Sequence, residues 1–346
     1  MKIAFICNKL TGGGAERFTA NIANRFSQDS SNSVYVITGT RTEKDYSLNE
    51  NITRFEIITK RLYEDSKSLL KLIREYGIEV VVGIDIYPNF VVCLISKFTK
   101  AKCVISERNA PKQVNISKKS RFLRWVLYRF ADGYVFQTNG AKEFYSKSIQ
   151  KRSVVIHNPI RENLPSKTNV NNKEIVAIGR LNVQKNYPML INAFNIVHNK
   201  YPNYKLRIFG DGELKESLLK QVNNLHLNES VVFENFTLNV HEAIKDSSIY
   251  VMTSDFEGMP NSLMEAMAMG FPVVSTDCPS GGPGELIVDA ENGLLCPIGD
   301  YQIFAQKIMS VLENKTFCNQ IASEAKKIMD SHNSDVIFQK WNEFVK

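Results

Sequence analysis

The stretch EIVAIGRLNVQKNYPMLINAFNIVHNK, residues 174–200, decides the fold. It opens on an apolar, strand-like run over 174–179 that ends in Gly179-Arg180-Leu181. A short polar loop follows, and Gln184-Lys185-Asn186 leads into a helical pattern over 186–200. Strand, loop and helix together make the opening of a βαβ unit. Downstream the rhythm continues as strand 204–209, helix 213–226, strand 230–233, helix 239–246, strand 248–252, helix 261–269, strand 272–275 and a short strand at 293–295, with helical patterns filling 300–346. Upstream it reads strand 2–7, helix 14–28, strand 33–38, a helix near 65–76, strand 79–83, helix 88–99 and strand 102–106. A basic helix at 117–130, strand 133–137, helix 139–147 and strand 153–156 complete that half. Such alternation predicts α/β architecture, with parallel sheets carrying helices on both faces. The two series are parted by 158–172, which has no apolar period and holds Pro159, Pro165, Ser166, Asn169, Asn171 and Asn172. That stretch reads as an interdomain linker. The chain is therefore expected to form two doubly wound, Rossmann-like domains, 1–160 and 161–346, facing a cleft.

Composition agrees with this scale. A chain of 346 residues suits two domains, and 43% hydrophobic with 23% charged residues is a globular balance. No window approaches ~20 uninterrupted apolar residues, so no membrane span is expected. The start, Met1 to Cys7, reads as a first strand rather than a signal peptide. Cys7, Cys93, Cys103, Cys278, Cys296 and Cys318 form no CxxC pair and no metal-ligand spacing, which suggests reduced core thiols in a cytoplasmic protein. Charge is uneven. Residues 1–162 hold 27 Lys and Arg against 15 Asp and Glu, whereas 163–346 hold 16 against 21. A basic front half suggests an anionic partner, and by charge alone nucleic acid, phosphorylated lipid and anionic membrane are all open.

Three loops carry chemistry. Thr11-Gly12-Gly13-Gly14-Ala15-Glu16-Arg17 follows the first strand, where glycines allow close backbone approach and the next helix offers N–H donors to an anion. A dinucleotide fingerprint would want Gly or Ala where Arg17 stands and an acidic residue where Thr38-Gly39-Thr40 closes the second strand, so a nicotinamide cofactor is disfavoured. Arg180 and Lys185 flank a second loop, a fork and a point charge suited to phosphate oxygens. The bland alternative is two solvated cations. The third loop, Phe256-Glu257-Gly258-Met259-Pro260-Asn261-Ser262-Leu263-Met264-Glu265-Ala266, opens a helix that Gly270 and Pro272 close. Its Pro260–Leu263 start is anion-ready, with Glu257 in the loop and Glu265 about a turn into the helix. An ordinary first turn also favours Glu.

Together these motifs resemble the retaining glycosyltransferases of family 4, with the two-domain GT-B fold, of the bacterial surface-polysaccharide type. The likeness extends to Ser275-Thr276-Asp277-Cys278-Pro279-Ser280-Gly281-Gly282-Pro283 with Glu285, and to Asn292-Gly293-Leu294-Leu295. It implies an acceptor-binding first domain, a nucleotide-sugar-binding second domain, and C-terminal helices that pack back on the first. It implies that Arg180 and Lys185 hold the donor diphosphate, that Glu257 with the backbone of Met259, Pro260 and Asn261 meets the donor sugar, that Ser262 is also donor-binding, and that Glu265 binds the ribose hydroxyls. Gly13 and Gly14 would lie near the diphosphate or acceptor, and Asn235-Phe236 near the base. The catalytic set would be Arg180, Lys185 and Glu257.

The activity so implied is transfer of a hexose or N-acetylhexosamine, with retention, from a nucleotide diphosphate sugar, UDP-linked by expectation. The acceptor would be a glycan or a polyprenyl-diphosphate-linked sugar, in O-antigen, capsule or exopolysaccharide synthesis. No cofactor, no metal and no nucleic acid partner is expected; no Asp-x-Asp lies at a strand end. A UDP-sugar 2-epimerase on a similar scaffold is the alternative, and a non-catalytic nucleotide-sugar binder a third reading. One departure stands out. Where many relatives carry a His after the fourth strand, this chain reads Ser106-Glu107-Arg108-Asn109, so Glu107 and Arg108 are candidates for contact with acceptor or donor sugar. Gly210-Asp211-Gly212-Glu213 reads as a capped turn, and His157, His198, His226, His241 and His332 as surface or capping residues.

The segment 117–130 places Phe122, Leu123, Val126, Leu127 and Phe130 on one helical arc, with Arg121, Arg124, Trp125, Tyr128 and Arg129 over the rest and Lys118 nearby. The arc is expected to pack on the first domain. The cationic, aromatic remainder suits an anionic membrane surface, and the expected location is the inner face of the plasma membrane, peripherally bound.

Overall fold

A computed structural model describes residues 1–346 except 114–115, 169–171, 236 and 238. The described chain divides into two compact units, Met1–Pro159 with Asp335–Lys346, and Ile160–Ser334.

The first unit holds β1 (Lys2–Ile6), β2 (Ser33–Thr38), β3 (Thr53–Glu56), β4 (Val80–Ile84), β5 (Lys102–Glu107), β6 (Gly133–Phe136) and β7 (Ser153–Val155). They pair in parallel in the order β3-β2-β1-β4-β5-β6-β7. Side chains alternate across β1, so Ala4 and Ile6 join one apolar layer and Ile3 and Phe5 the other. The first layer lies under helices Leu62–Tyr76 and Ile86–Ile95, the second under helix Gly14–Ser27 and the C-terminal helix Ser334–Val345. Strand β3 is absent from the sequence reading. It is a four-residue edge with polar alternation, Thr-Arg-Phe-Glu, and Arg54 is held by a buried ion pair with Asp45 at 2.8 Å.

The second unit holds β8 (Glu174–Ile178), β9 (Lys205–Phe209), β10 (Val231–Glu234), β11 (Ile249–Met252), β12 (Val273–Thr276) and β13 (Leu294–Cys296), parallel in the order β10-β9-β8-β11-β12-β13. Both sheets are doubly wound, as the βα alternation predicts.

The sequence boundary of 161–346 needs correction at its end. Helices Tyr301–Glu313, Lys315–Lys326 and Ile328–His332 stay on the second unit through Phe304, Ile308, Ile321 and Ile328. The last helix returns to the first. Trp341 is fully buried with its ring 5.5 Å from Phe18, Phe338 meets Phe26 at 4.7 Å, and Asp335 pairs with Arg25 at 2.5 Å. The expected linker also differs. Ile160 is buried in the second unit and its N–H donates to His332 O at 2.8 Å, while Lys167 N–H reaches Met269 O at 2.7 Å. The segment is held by backbone hydrogen bonds together with Ile160 and Leu164, which join the apolar cluster of that unit; residues 169–171 of the expected linker lie outside the described residues.

Helix Lys118–Leu127 is capped by Ser117, whose Oγ accepts from Ser120 N–H at 3.1 Å. Its faces are rotated from the expected arc. Phe122 and Trp125 are each 62% exposed and Phe130 is exposed, whereas Arg124 and Tyr128 are buried. The 3-10 turn Tyr128–Phe130 changes the phase of the helix and swings Phe130 outward. Arg124 is accommodated inside by the Phe144 ring, 5.0 Å away, and by the field of Glu107.

Candidate active site

A polar site of the second unit forms where β8 and β11 run side by side. Sheet order reverses direction there, and the loops after these strands flank the crevice in which doubly wound sheets bind ligands. The β8 loop leads through the 3-10 turn Val183–Lys185 to Asn186, whose left-handed backbone (φ 44°, ψ 48°) lets its side chain accept from Met189 N–H at 3.3 Å and start helix Tyr187–Lys200. The β11 loop is stitched to it. Asn186 Nδ2 donates to Asp255 Oδ1 at 2.7 Å, Asp255 N–H to Gln184 O at 2.8 Å, Gln184 Nε2 to Phe256 O at 3.0 Å, and Thr253 Oγ to Lys185 O at 2.9 Å. The β12 loop closes on the β11 loop, because Gly282 has room only for hydrogen: a Cβ there would lie 1.8 Å from Gly258 O.

This stitching fixes Lys185 Nζ 2.6 Å from Glu257 Oε1, with the two side chains 16% and 10% exposed. The same oxygen accepts from Ser254 Oγ at 2.8 Å. Lys185 is thus a tethered cation, already neutralised by a carboxylate. Arg180 is exposed just beyond β8 and its side chain has no hydrogen-bond partner among the described residues. Helix Asn261–Met269 begins at Pro260, which has no N–H, so its first donors are those of Asn261, Ser262 and Leu263 rather than of Pro260 as expected. Gly270 (φ 88°) ends it in the left-handed conformation that other residues resist. Met259 and Pro260 are buried. Ser262 accepts from the buried Tyr250 OH at 2.9 Å, and burial first, then the carboxylates Glu257 and Glu265, keep that phenol from ionising.

Glu265 is buried, and its Oε2 lies 3.0 Å from His241 Nε2. The expectation of His241 as a surface or capping residue is therefore wrong: it is 7% exposed. Its helix, Val240–Ile244, turns His241 and Ile244 inward together, and that three-residue spacing was the available signal. Asn235 is exposed after β10, and Phe236 lies outside the described residues.

Other candidates belong to the first unit. Gly13 caps helix Gly14–Ser27, and Glu16 folds back over it, its Oε2 2.1 Å from where a Gly13 Cβ would be. Glu107 and Arg108 both point inward. Glu107 is 1% exposed, accepts from Tyr145 OH at 2.6 Å, and is pushed up to about 7 chiefly by burial. Arg108 stacks 3.6 Å over the Phe18 ring and donates to Asn158 Oδ1. Neither is an exposed contact group. β5 is buried on both faces up to Glu107, which meets the stacked Tyr128 and Tyr145 rings on one side, while Arg108 just beyond the strand meets Phe18.

No group of three or more His, Cys, Asp or Glu among the described residues could hold a metal ion, and no described helix is long and apolar enough to cross a membrane.

Comparison with known proteins now bears on the geometry. Residues 160–328 match the family Glycosyl transferases group 1, and residues 12–164 match Glycosyltransferase Family 4. The chain is a glycosyltransferase of this type. An uncharacterized glycosyltransferase of Haemophilus influenzae is 24% identical over 347 residues, with 97% of each chain covered. An α-1,4-N-acetyl-D-galactosaminyltransferase of Campylobacter jejuni, named for an undecaprenol-diphosphate-linked acceptor, is 27% identical over 356 residues, covering 99% of this chain and 97% of its own. The crystal structure of Anabaena HepE in complex with UDP shares the fold, with a TM-score of 0.84, 20% identity and 99% of each chain covered. Within the glycosyltransferase, the group 1 match contains the whole Lys185–Glu257 and His241–Glu265 arrangement.

Proposed function

We propose that this glycosyltransferase moves a hexose or N-acetylhexosamine from a UDP-sugar, with retention, to a glycan or polyprenyl-diphosphate-linked acceptor in bacterial surface-polysaccharide synthesis. The observation that carries the reading is the joining of the β8 and β11 loops, which sets Lys185 on Glu257 in the loops that also carry exposed Arg180 and lead into the helix at Asn261. Departure of the sugar builds negative charge on the diphosphate and positive charge at the anomeric carbon. Arg180, Lys185 and the first-turn amides would meet the former, and donors already in place need little reorganisation. Glu257 would orient Lys185 and accept a donor-sugar hydroxyl, and Glu265 would accept the ribose hydroxyls. With Arg180 and Lys185 supplying the positive charge, no metal or other cofactor is required. A donor phosphate oxygen would take the acceptor proton on the face the sugar leaves, which retains configuration.

The names of relatives supply the substrate classes: the Campylobacter enzyme acts on an undecaprenol-linked glycan, and HepE was crystallised with UDP and with UDP-glucose. The epimerase alternative has no such support. The outward face of helix Lys118–Leu127 favours peripheral binding to the anionic inner face of the plasma membrane. Phe122 and Trp125 rings lie 6.1 Å apart, Arg129 sits 4.1 Å over Trp125, and Lys118 and Arg121 are exposed.

The experiment is a screen of nucleotide sugars against a lipid-diphosphate sugar acceptor, with mass and anomeric analysis of the product. Transfer with retention is expected; an inverted product, or epimerised donor without acceptor, would overturn the reading. In sedimentation with anionic vesicles, wild type should bind at low salt and release at high salt. The variant Lys118→Glu/Arg121→Glu/Arg129→Glu should stay in solution yet act on a water-soluble acceptor. Equal partitioning of the two would remove the membrane role of this helix.

A further inference from the structure

We infer that His241 is a positioning residue that sets the Glu265 carboxylate for the ribose hydroxyls of the donor nucleotide. The inference rests on the reading of Glu265 as the ribose-binding group, and adds the residue that aims it.

His241 Nε2 and Glu265 Oε2 are 3.0 Å apart, and each side chain is only 8% exposed. The pair joins two helices from different βα units: Val240–Ile244 precedes β11 and Asn261–Met269 follows it. Both helices are anchored in one apolar cluster, with Ile244 and Val240 on one side and Leu263, Met264 and Ala266 on the other. The two helices are therefore held by packing, and with both side chains buried the core sets the spacing across which His241 meets Glu265. Opposite a carboxylate, the ring nitrogen at Nε2 carries a hydrogen and donates it.

The chemical consequence concerns geometry. A Glu side chain has three rotatable bonds before its carboxylate, and two hydroxyls of one ribose need acceptors at fixed separation. Fixing Oε2 orients the whole carboxylate plane, so less ordering remains when the nucleotide binds. His241 touches no substrate in this scheme. Hydrogen bonds to charged groups are among the stronger ones, and loss of this one should weaken recognition roughly tenfold.

The test uses UDP, 2′-deoxy-UDP and 3′-deoxy-UDP as calorimetric probes on the full chain. Wild type should prefer UDP over the deoxy analogues by roughly 10- to 100-fold, and Glu265→Gln should abolish most of that preference. His241→Phe keeps an aromatic ring but no donor, and His241→Gln restores an N–H. The preference should fall about tenfold in His241→Phe and recover in His241→Gln. Donor KM should rise in His241→Phe with kcat within about twofold, which a general loss of folding would not produce. If wild type prefers UDP and Glu265→Gln does not, but His241→Phe keeps the wild-type preference, the positioning role is overturned while the ribose reading stands. If wild type shows no preference, the ribose reading itself fails and this inference falls with it.

Discussion

Breaking the Lys185–Glu257 pair should separate what holds the site together from what drives the reaction. The charges lie 2.6 Å apart with 16% and 10% side-chain exposure. At an effective dielectric of about 20 their gross attraction is about 6 kcal/mol, most of it offset by the cost of desolvating both ions. Lys185→Met keeps the alkyl stem but leaves Glu257 with Ser254 as its hydroxyl donor, at 2.8 Å. Removing one partner of a buried pair costs about 3–5 kcal/mol; partial exposure and the Ser254 bond should bring this to about 2–4 kcal/mol. Folding would thus be weakened, because the cation is a structural partner as well as a ligand group. Glu257→Gln should cost a similar amount, and the double variant Lys185→Met/Glu257→Gln should return to within about 1 kcal/mol of wild type. Calorimetric unfolding would read this as a fall of roughly 5–12 °C in each single variant and recovery in the double. Turnover should behave differently. Lys185→Met should lose on the order of 10²–10³ in kcat at saturating donor, and the double variant should remain as slow. Recovery of rate together with stability in the double variant would refute a role for Lys185 beyond holding Glu257.

Two other parts of the molecule and the charge at the same site give three further outcomes. Burial pushes Glu107 up to about 7, so the folded chain holds this proton more tightly than the unfolded one; its stabilising contribution is full below about 4.5 and drains away as pH rises through about 7. The swing is on the order of 3 kcal/mol, and Glu107→Gln should gain stability over wild type at pH 8 but not at pH 5 in urea titrations; parallel pH responses would contradict it. Trp341→Ala empties a fully buried site against Phe18 and should cost about 3–5 kcal/mol, read as earlier unfolding of the unit holding residues 1–159, and an unchanged midpoint would show that the C-terminal helix is dispensable there. Activity should survive excess EDTA, since Arg180 and Lys185 supply the positive charge; loss restored by magnesium or manganese would overturn that assignment.

Much of this protein was legible in one dimension. Short, bounded apolar runs such as 175–178 and 249–252 read as strands buried on both faces, and their alternation with helical patterns points to parallel, doubly wound sheets. The positions of Arg180, Lys185, Glu257 and Glu265 at loop and helix starts were equally readable, because turns and caps are written in local residue types. Partnership was not. Lys185 and Glu257 are 72 residues apart and His241 and Glu265 are 24, and they meet because crossovers place β8 beside β11 and carry helices Val240–Ile244 and Asn261–Met269 onto one apolar cluster. The inward turn of Glu107, Arg124 and Tyr128 likewise came from what the surrounding chain offered them: a phenol, an aromatic ring and an amide. The return of Trp341 to Phe18, across more than three hundred residues of sequence, is of the same kind. Periodicity tells a residue which way it faces along its own element. What it faces is decided only when the elements pack, because burial free energy is gained from neighbours that the chain supplies from far away.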